Sequence, residues 1–472
     1  MKIHFDTLGC DKNTADNEYL AGLLRQHGFE IANRTQARDF DAVLITTCGF
    51  IQMARDQSLA HIAQWVSEKE RRRRPLAVFV SGCLSQAMGR ELLDQFPTLD
   101  GLAGVGDFHR LADLITESLQ HQGQSRGTQP FYLVNDTPEA SIPYDIPREP
   151  LYQAPYAFLK ISDGCNHTCT FCAIPSMKGK HRSIERERVL AEARRLIDAG
   201  VRELNLVAQD CSDYGKDIYG ADYRIEHLLR DLCALDGQFW VRLFYLYPLG
   251  VTDALLDLWR NEPKLVPYVD MPLQHLAPTV LRRMKRPHLE ARVDDTIARL
   301  RTIPGFTLRT TLIVGFPGET EDDFQMLLEG VERHRFNRLG VFTWSPEANT
   351  PSYAMPDWVE EPEKRRRRQL VMDRQARISH DLMRQRVGTT EEVLVESYDA
   401  TRKLWLARGR ADAPEVDGQV LLKAPQRAFA PGDFVRVLIT GHDVYDVMAE
   451  AAPAHATAQS RSGRPPAPVT TA

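Results

Sequence analysis

Three times in the first 84 residues, a strand-like run ends on a cysteine and a helix-like stretch follows. KIHFDTLG runs into Cys10, DAVLITT into Cys48 and LAVFVSG into Cys83. Alternating strand and helix implies a parallel sheet with right-handed crossovers, because a twisted strand feeding a helix packs back onto its sheet with that hand. Ligands of such sheets bind beyond the carboxyl ends of the strands. All three thiols fall on that edge, so side chains 35 to 38 positions apart can converge on one site. An N-terminal parallel α/β domain is expected over residues 1–125.

Residues 121–150, rich in Gln, Gly, Pro and Ser, read as a linker. A second α/β series then begins, with strand candidates AFLKIS, ELNLVAQD, FWVRLFYLY, VPYVDMP, TLRTTLIVGF and RLGVFTWS. Six strand–helix units predict a parallel barrel, incomplete relative to eight, over 151–388, with chemistry at its carboxyl-end loops. A charged helix is expected over 364–387. Five short strands with turns follow over 389–450, predicting a small antiparallel, OB-like barrel. Residues 451–472, rich in Ala, Pro, Ser and Thr, are expected to be disordered. The fold class is therefore α/β with a small β-barrel appended.

GCNHTCTFC is the strongest chemical signal. Cys165, Cys169 and Cys172 lie within eight residues of one another, with no fourth cysteine nearby. Clustered cysteines in a reducing compartment read as metal ligands, and eight cysteines are too few for a disulfide scaffold in 472 residues. A 4Fe–4S cube normally takes four thiolates, so three leave one iron open to a further ligand. A structural zinc site that recruits His167 is the competing reading. The net charge of −5 gives no basic signature for nucleic acid, and no apolar run has the length of a membrane span. The N-terminus lacks the apolar stretch of a signal peptide, so the expected compartment is the cytoplasm. Cys10, Cys48 and Cys83, taken singly, could each be a buried apolar thiol.

Taken together, these motifs resemble the radical S-adenosylmethionine (SAM) methylthiotransferase family over nearly the whole chain to about residue 450. Leu8-Gly-Cys10 with Asn13, Asp16 and Glu18, Thr47-Cys48-Gly-Phe50 and Gly82-Cys83-Leu84 match its N-terminal motifs. The resemblance implies a cysteine-bearing α/β domain, a radical SAM barrel (a partial TIM barrel) and a C-terminal TRAM domain. It implies two 4Fe–4S clusters, one on Cys165, Cys169 and Cys172 and a second on Cys10, Cys48 and Cys83. SAM would serve as radical source and as methyl donor. Phe171 could pack on SAM, Gln209 sits at a strand end, and Gly315 and Glu319 belong to a strand-to-helix turn, Ile313-Val-Gly-Phe-Pro-Gly-Glu319; all four are candidate cofactor contacts. An electron donor such as flavodoxin or ferredoxin is implied as a partner. Inserting sulfur at an unactivated carbon needs a C–H bond broken that no side-chain base can deprotonate, which is what such cofactors provide.

Within the family, the choice lies between a tRNA adenosine and an aspartate of small-subunit ribosomal protein S twelve, modified at its β-carbon. Ile174-Pro-Ser-Met-Lys-Gly179, Gln209-Asp210 with Tyr214-Gly215, Tyr268 to His275 and Asp412 to Gly418 resemble the ribosomal-protein branch. Cys211, where that branch usually has Thr, reads as a neutral variant, and Ser85-Gln-Ala departs from the commoner continuation after Cys83. From 389 to 450 eleven acidic and seven basic residues give −4, which suits a basic protein substrate better than RNA. Arg71–Arg74 and Arg365–Arg368 point the other way and leave ribosomal RNA contact open, although acidic neighbours make them read as solvated helix faces. Tyr245, Tyr247, Met271, Gln274 and His275 are pocket candidates at strand ends. A non-catalytic iron–sulfur module is the alternative of another class.

Overall fold

The computed structural model describes residues 1–32, 40–120, 129–137, 146–286 and 292–452. Its first sheet has six strands, all parallel, in the order Glu30–Ala32, Lys2–Thr7, Ala42–Thr47, Ala77–Gly82, Gly101–Ala103, Phe131–Leu133. The strands at 42–47 and 77–82 are buried along their whole length, as parallel strands covered on both faces must be. The order reverses beside Lys2–Thr7, and Cys10 and Cys48 follow the two strands that flank this switch point. Such a reversal opens a crevice for ligands. The sixth strand corrects the linker expected over 121–150: Phe131–Leu133 pairs with Gly101–Ala103, a three-residue apolar run too short to stand out from its polar surroundings. The remaining linker positions 121–128 and 138–145 lie outside the described residues.

A second sheet of six parallel strands runs Tyr156–Lys160, Glu203–Val207, Trp240–Leu243, Leu265–Asp270, Thr307–Val314, Arg338–Thr343, each beside the next. It stays open, an incomplete barrel as its strand count predicted. Helices pack its outer face. Glu321–His334 starts at a reciprocal cap in which Thr320 Oγ1 accepts from Asp323 N at 3.1 Å and Asp323 Oδ2 accepts from Thr320 N at 3.0 Å. The charged helix spans Glu361–Arg386, with glutamates in its first turn and arginines in its last, as the helix dipole favours. On the inner face, Phe158, Trp240, Phe244 and Tyr268 pack against Ala15 of the first helix and Leu394 and Ala413 of the C-terminal barrel. The open side of the half-barrel is thus filled by its two flanking domains.

The C-terminal strands Thr390–Asp399, Leu404–Gly409, Val420–Lys423, Phe434–His442 and Val447–Ala451 form a closed barrel. Its pairs are antiparallel, as expected, except that Val420–Lys423 and Val447–Ala451 run parallel where the barrel closes. The tail expected to be disordered lies, from 453 on, outside the described residues. Among the described residues, no helix is long and apolar enough to cross a membrane.

Candidate functional site

Cys10 caps the helix Asp11–Gln26, and Cys83 opens the helix Cys83–Met88, each directly behind a glycine of positive φ (Gly9, +101°; Gly82, +106°). A Cβ on Gly9 would lie 3.1 Å from Cys48 Cβ, and one on Gly49 would lie 2.9 Å from the Leu84 backbone. The three loops therefore touch, and glycine is what lets them approach. Asn13 ties two of them together, donating to Leu8 O at 2.9 Å and Thr47 O at 3.4 Å. Ser58 fixes the Cys48 loop further, accepting from Cys48 N at 3.1 Å and donating to Cys48 O at 3.0 Å.

The second triad lies on the loop between the strand Tyr156–Lys160 and the helix Ile174–Lys178. Cys165 Sγ accepts from His167 N at 3.4 Å, and Cys169 Sγ accepts from Arg286 Nε at 3.3 Å. Burial pushes the thiols of Cys83 and Cys165 up to about 12 and that of Cys172 to about 11; it raises Cys48 as well. Ligands at these positions must therefore displace protons. Among the described residues, the only three or more Cys, His or carboxylate groups with ligand atoms all within 4.8 Å are His167, Asp210 and Asp213. Neither triad has the tight spacing of a mononuclear zinc set. Each is a set of three free thiols, the donor type and number that would fill three of the four thiolate positions of a 4Fe–4S cube.

The two triads share a wall. Cys83 packs against Ala173 and Met177, on the helix that begins just after Cys172. Behind it runs a buried polar seam. Lys160 Nζ bonds Asp16 at 2.7 Å and Asp163 at 3.0 Å, and Lys178 Nζ lies 3.5 Å and 3.6 Å from the same pair. Burial alone would raise the Asp163 carboxyl, but the two ammoniums hold it well below the usual range. On the other side, a cleft of about 110 Å³ is lined by Phe50 and Ile51 just beyond Cys48, by Phe171 between Cys169 and Cys172, and by Gln274, Ile313 and Trp344 of the barrel. Arg55 of the first domain closes onto Glu347 of the barrel rim at 2.9 Å.

Other candidates fall into place unevenly. Phe171 lines the cleft. Gln209 Nε2 donates to Asp163 Oδ1 at 2.7 Å, while its buried Oε1 has no protein partner. Gly315 (φ +71°) is covered by the Lys364 side chain, which would meet a Cβ at 2.3 Å. Glu319 turns inward, accepting from Phe316 N at 3.0 Å and pairing with Arg367 at 3.0 Å. Tyr247 stacks on His167 with centroids 4.4 Å apart, and Tyr245 holds Lys12 Nζ 3.3 Å over its ring. Gln274 faces the cleft, whereas Met271, His275 and Cys211 are fully buried in packing. Sequence reasoning missed Arg286 and Lys12, which no spacing rule marks. Of the motif residues, Asp16 joins the two domains through Lys160, and Glu18 anchors the connecting segment, accepting from Arg148 Nε at 2.6 Å.

The acidic excess of the C-terminal barrel is mostly internal. Asp412 pairs with Arg338 and Arg386, Asp417 with Arg309 at 3.1 Å, and Glu391 with Arg386 at 2.9 Å. These arginines lie outside the stretch whose charge was summed, which cancels three of its four excess charges. Within the arginine runs, Arg72, Arg74, Arg366 and Arg367 likewise pair with carboxylates.

The fold and the three-thiol loop of the half-barrel define a radical SAM enzyme. Family models agree: the Radical SAM superfamily matches residues 159–331, the uncharacterised protein family UPF0004 matches 2–104, and the TRAM domain matches 387–452. Ribosomal protein uS12 methylthiotransferase RimO of Geotalea uraniireducens is 42% identical over 96% of this chain and 98% of its own. The protein of the same description from Geobacter sulfurreducens is 42% identical over 95% and 98%. This chain belongs to that methylthiotransferase family, and it is a transferase. A solved radical SAM methyltransferase, TsrM of Kitasatospora setae, shares the fold at TM-score 0.54 and 14% identity, covering 74% of this chain and 76% of that one.

Proposed function

We propose that this enzyme adds a methylthio group to the β-carbon of an aspartate in ribosomal protein uS12. Cys165, Cys169 and Cys172 hold one 4Fe–4S cluster and Cys10, Cys48 and Cys83 a second. When bound, the clusters and SAM supply the electron, the radical and the sulfur. The observation that carries the reading is the shared wall: the helix after Cys172 packs on Cys83, and Phe50 and Ile51 beyond Cys48 line one cleft with Phe171 of the second triad's loop, beside which clusters on the two triads would sit. Phe171 and Gln209 contact SAM, while Gly315 and Glu319 shape the turn beside it. The aromatic walls exclude water from the reacting carbon, and the Arg55–Glu347 pair holds the two domains closed across it. A one-electron donor of the flavodoxin or ferredoxin kind feeds the Cys165 side.

The test is mass spectrometry of uS12 and tRNA from a deletion strain complemented with the wild-type or Cys169→Ala gene. The expected result is a uS12 lighter by about 46 Da without the wild-type gene, which is CH3S replacing H, with tRNA unchanged. An unaltered uS12 alongside altered tRNA would sink the assignment in favour of the tRNA branch. Failure of the reconstituted protein to release 5′-deoxyadenosine from SAM would leave only an iron–sulfur carrier.

A further inference from the structure

Arg286 is 9% exposed, yet it lacks the partner that the other buried arginines have. Arg148, Arg242, Arg338, Arg386 and Arg408 all meet carboxylates. Among the described residues, no carboxylate pairs with Arg286. Its Nη1 donates to Pro272 O at 2.8 Å, and its Nε donates to Cys169 Sγ at 3.3 Å. The guanidinium carbon lies 5.6 Å from the ring centroid of Phe171 and 5.0 Å from that of Tyr247. A cation enclosed by rings and a carbonyl is costly unless negative charge compensates it. The neighbour able to carry that charge is the Cys169 sulfur.

We propose that Arg286 sets the reduction potential of the cluster held by Cys165, Cys169 and Cys172. The inference rests on the reading that those thiolates hold a 4Fe–4S cluster. One-electron reduction adds one negative charge to the site, with the electron coming from an external one-electron donor. The fixed N–H···S bond and the guanidinium charge stabilise the reduced state more than the oxidised one. The aromatic walls lower the local dielectric and strengthen both effects. Arg286 itself gains and loses nothing: a guanidinium keeps its proton throughout. Its role is positioning charge, since its contact is with a ligand sulfur, and the Phe171 and Tyr247 rings with Pro272 O keep its plane in place.

The decisive experiment is a potentiometric titration with dithionite of anaerobically reconstituted full-length protein, followed by electron paramagnetic resonance. The change that SAM induces in the signal marks the cluster concerned. Arg286→Met is expected to shift the midpoint of the SAM-responsive cluster to more negative potential, leaving the other cluster and the iron content at wild-type values. Arg286→Lys, which keeps charge but loses the planar fork, is expected to fall between. A wild-type midpoint in fully loaded Arg286→Met overturns the proposal, as does an equal shift of both clusters. Should Arg286→Met fail to retain iron, an unshifted midpoint in Arg286→Lys overturns it. Wild-type protein with no SAM-responsive signal would overturn the cluster reading first and this inference with it.

Discussion

Replacing Asp412 with asparagine should loosen the C-terminal barrel from the half-barrel by about 2 to 4 kcal/mol at pH 7. Asp412 is 1% exposed and accepts from Arg386 Nη1 at 3.2 Å, Arg386 Nη2 at 3.0 Å, Arg338 Nη2 and Gly409 N at 3.2 Å. Burial pushes its carboxyl up, and the charges of Arg386 and Arg338 more than reverse this, pulling it from 3.8 to about 2. That difference corresponds to about 2.5 kcal/mol of linkage. Leaving two buried guanidiniums without their shared partner costs more, up to about 5 kcal/mol when a pair is fully broken. Glu391, still 2.9 Å from Arg386, keeps the loss below that limit. Because the folded value is depressed, the stabilisation is complete above the unfolded carboxyl value near 3.9 and disappears as pH falls through about 2. Native-state amide exchange of the strands at 390–451 reads the opening free energy of this domain alone. The gap between wild type and Asp412→Asn should be constant from about pH 8 to 5 and narrow below about pH 4. A gap under about 0.5 kcal/mol at pH 7, or one that fails to narrow in acid, would refute the clasp.

Two further outcomes are expected. In Gly418→Ala the new Cβ would come 2.0 Å from Tyr445 O, a backbone atom that cannot swing aside. Thermal melts should show a loss of about 1–3 kcal/mol, and an unchanged melt would mean the loop relaxes freely. For the apo-protein, burial holds the Cys83 and Cys165 thiols near 12 and Cys172 near 11, so a bound metal must expel their protons. Apparent affinity for Co(II), used as a spectroscopic probe, should therefore climb with pH, towards about tenfold per unit for each proton displaced. Affinity that is flat between about pH 6.5 and 8.5 would show thiols that are already ionised.

Much of the architecture was legible because local signals agreed. The runs before Cys10, Cys48 and Cys83 are strands, their helices follow, and the five short C-terminal strands all appear. Phe131–Leu133 was hidden because three residues in polar surroundings carry too little periodicity to outweigh the Gly, Pro and Ser around them. The charge of residues 389–450 was misleading for another reason. Asp412, Asp417 and Glu391 take their counter-charges from Arg338, Arg309 and Arg386, and no sum confined to one stretch can see a neighbour's guanidinium. The glycine turn makes Glu319 a candidate cofactor contact, and only the fold shows that its carboxylate bonds Phe316 N and pairs with Arg367.

The sequence by itself determined the strand–helix alternation, the sheet edge on which Cys10, Cys48 and Cys83 stand, and the membership of a family, since these depend on residue type and spacing along the chain. Only the tertiary structure decided that the two triads share a wall, that the open face of the half-barrel is filled by Ala15, Leu394 and Ala413, and that Arg286, 117 positions from Cys169, donates to its sulfur. Proximity between distant positions arises from how whole sheets and helices pack, and a solitary arginine or lysine leaves no periodic trace in the chain that carries it.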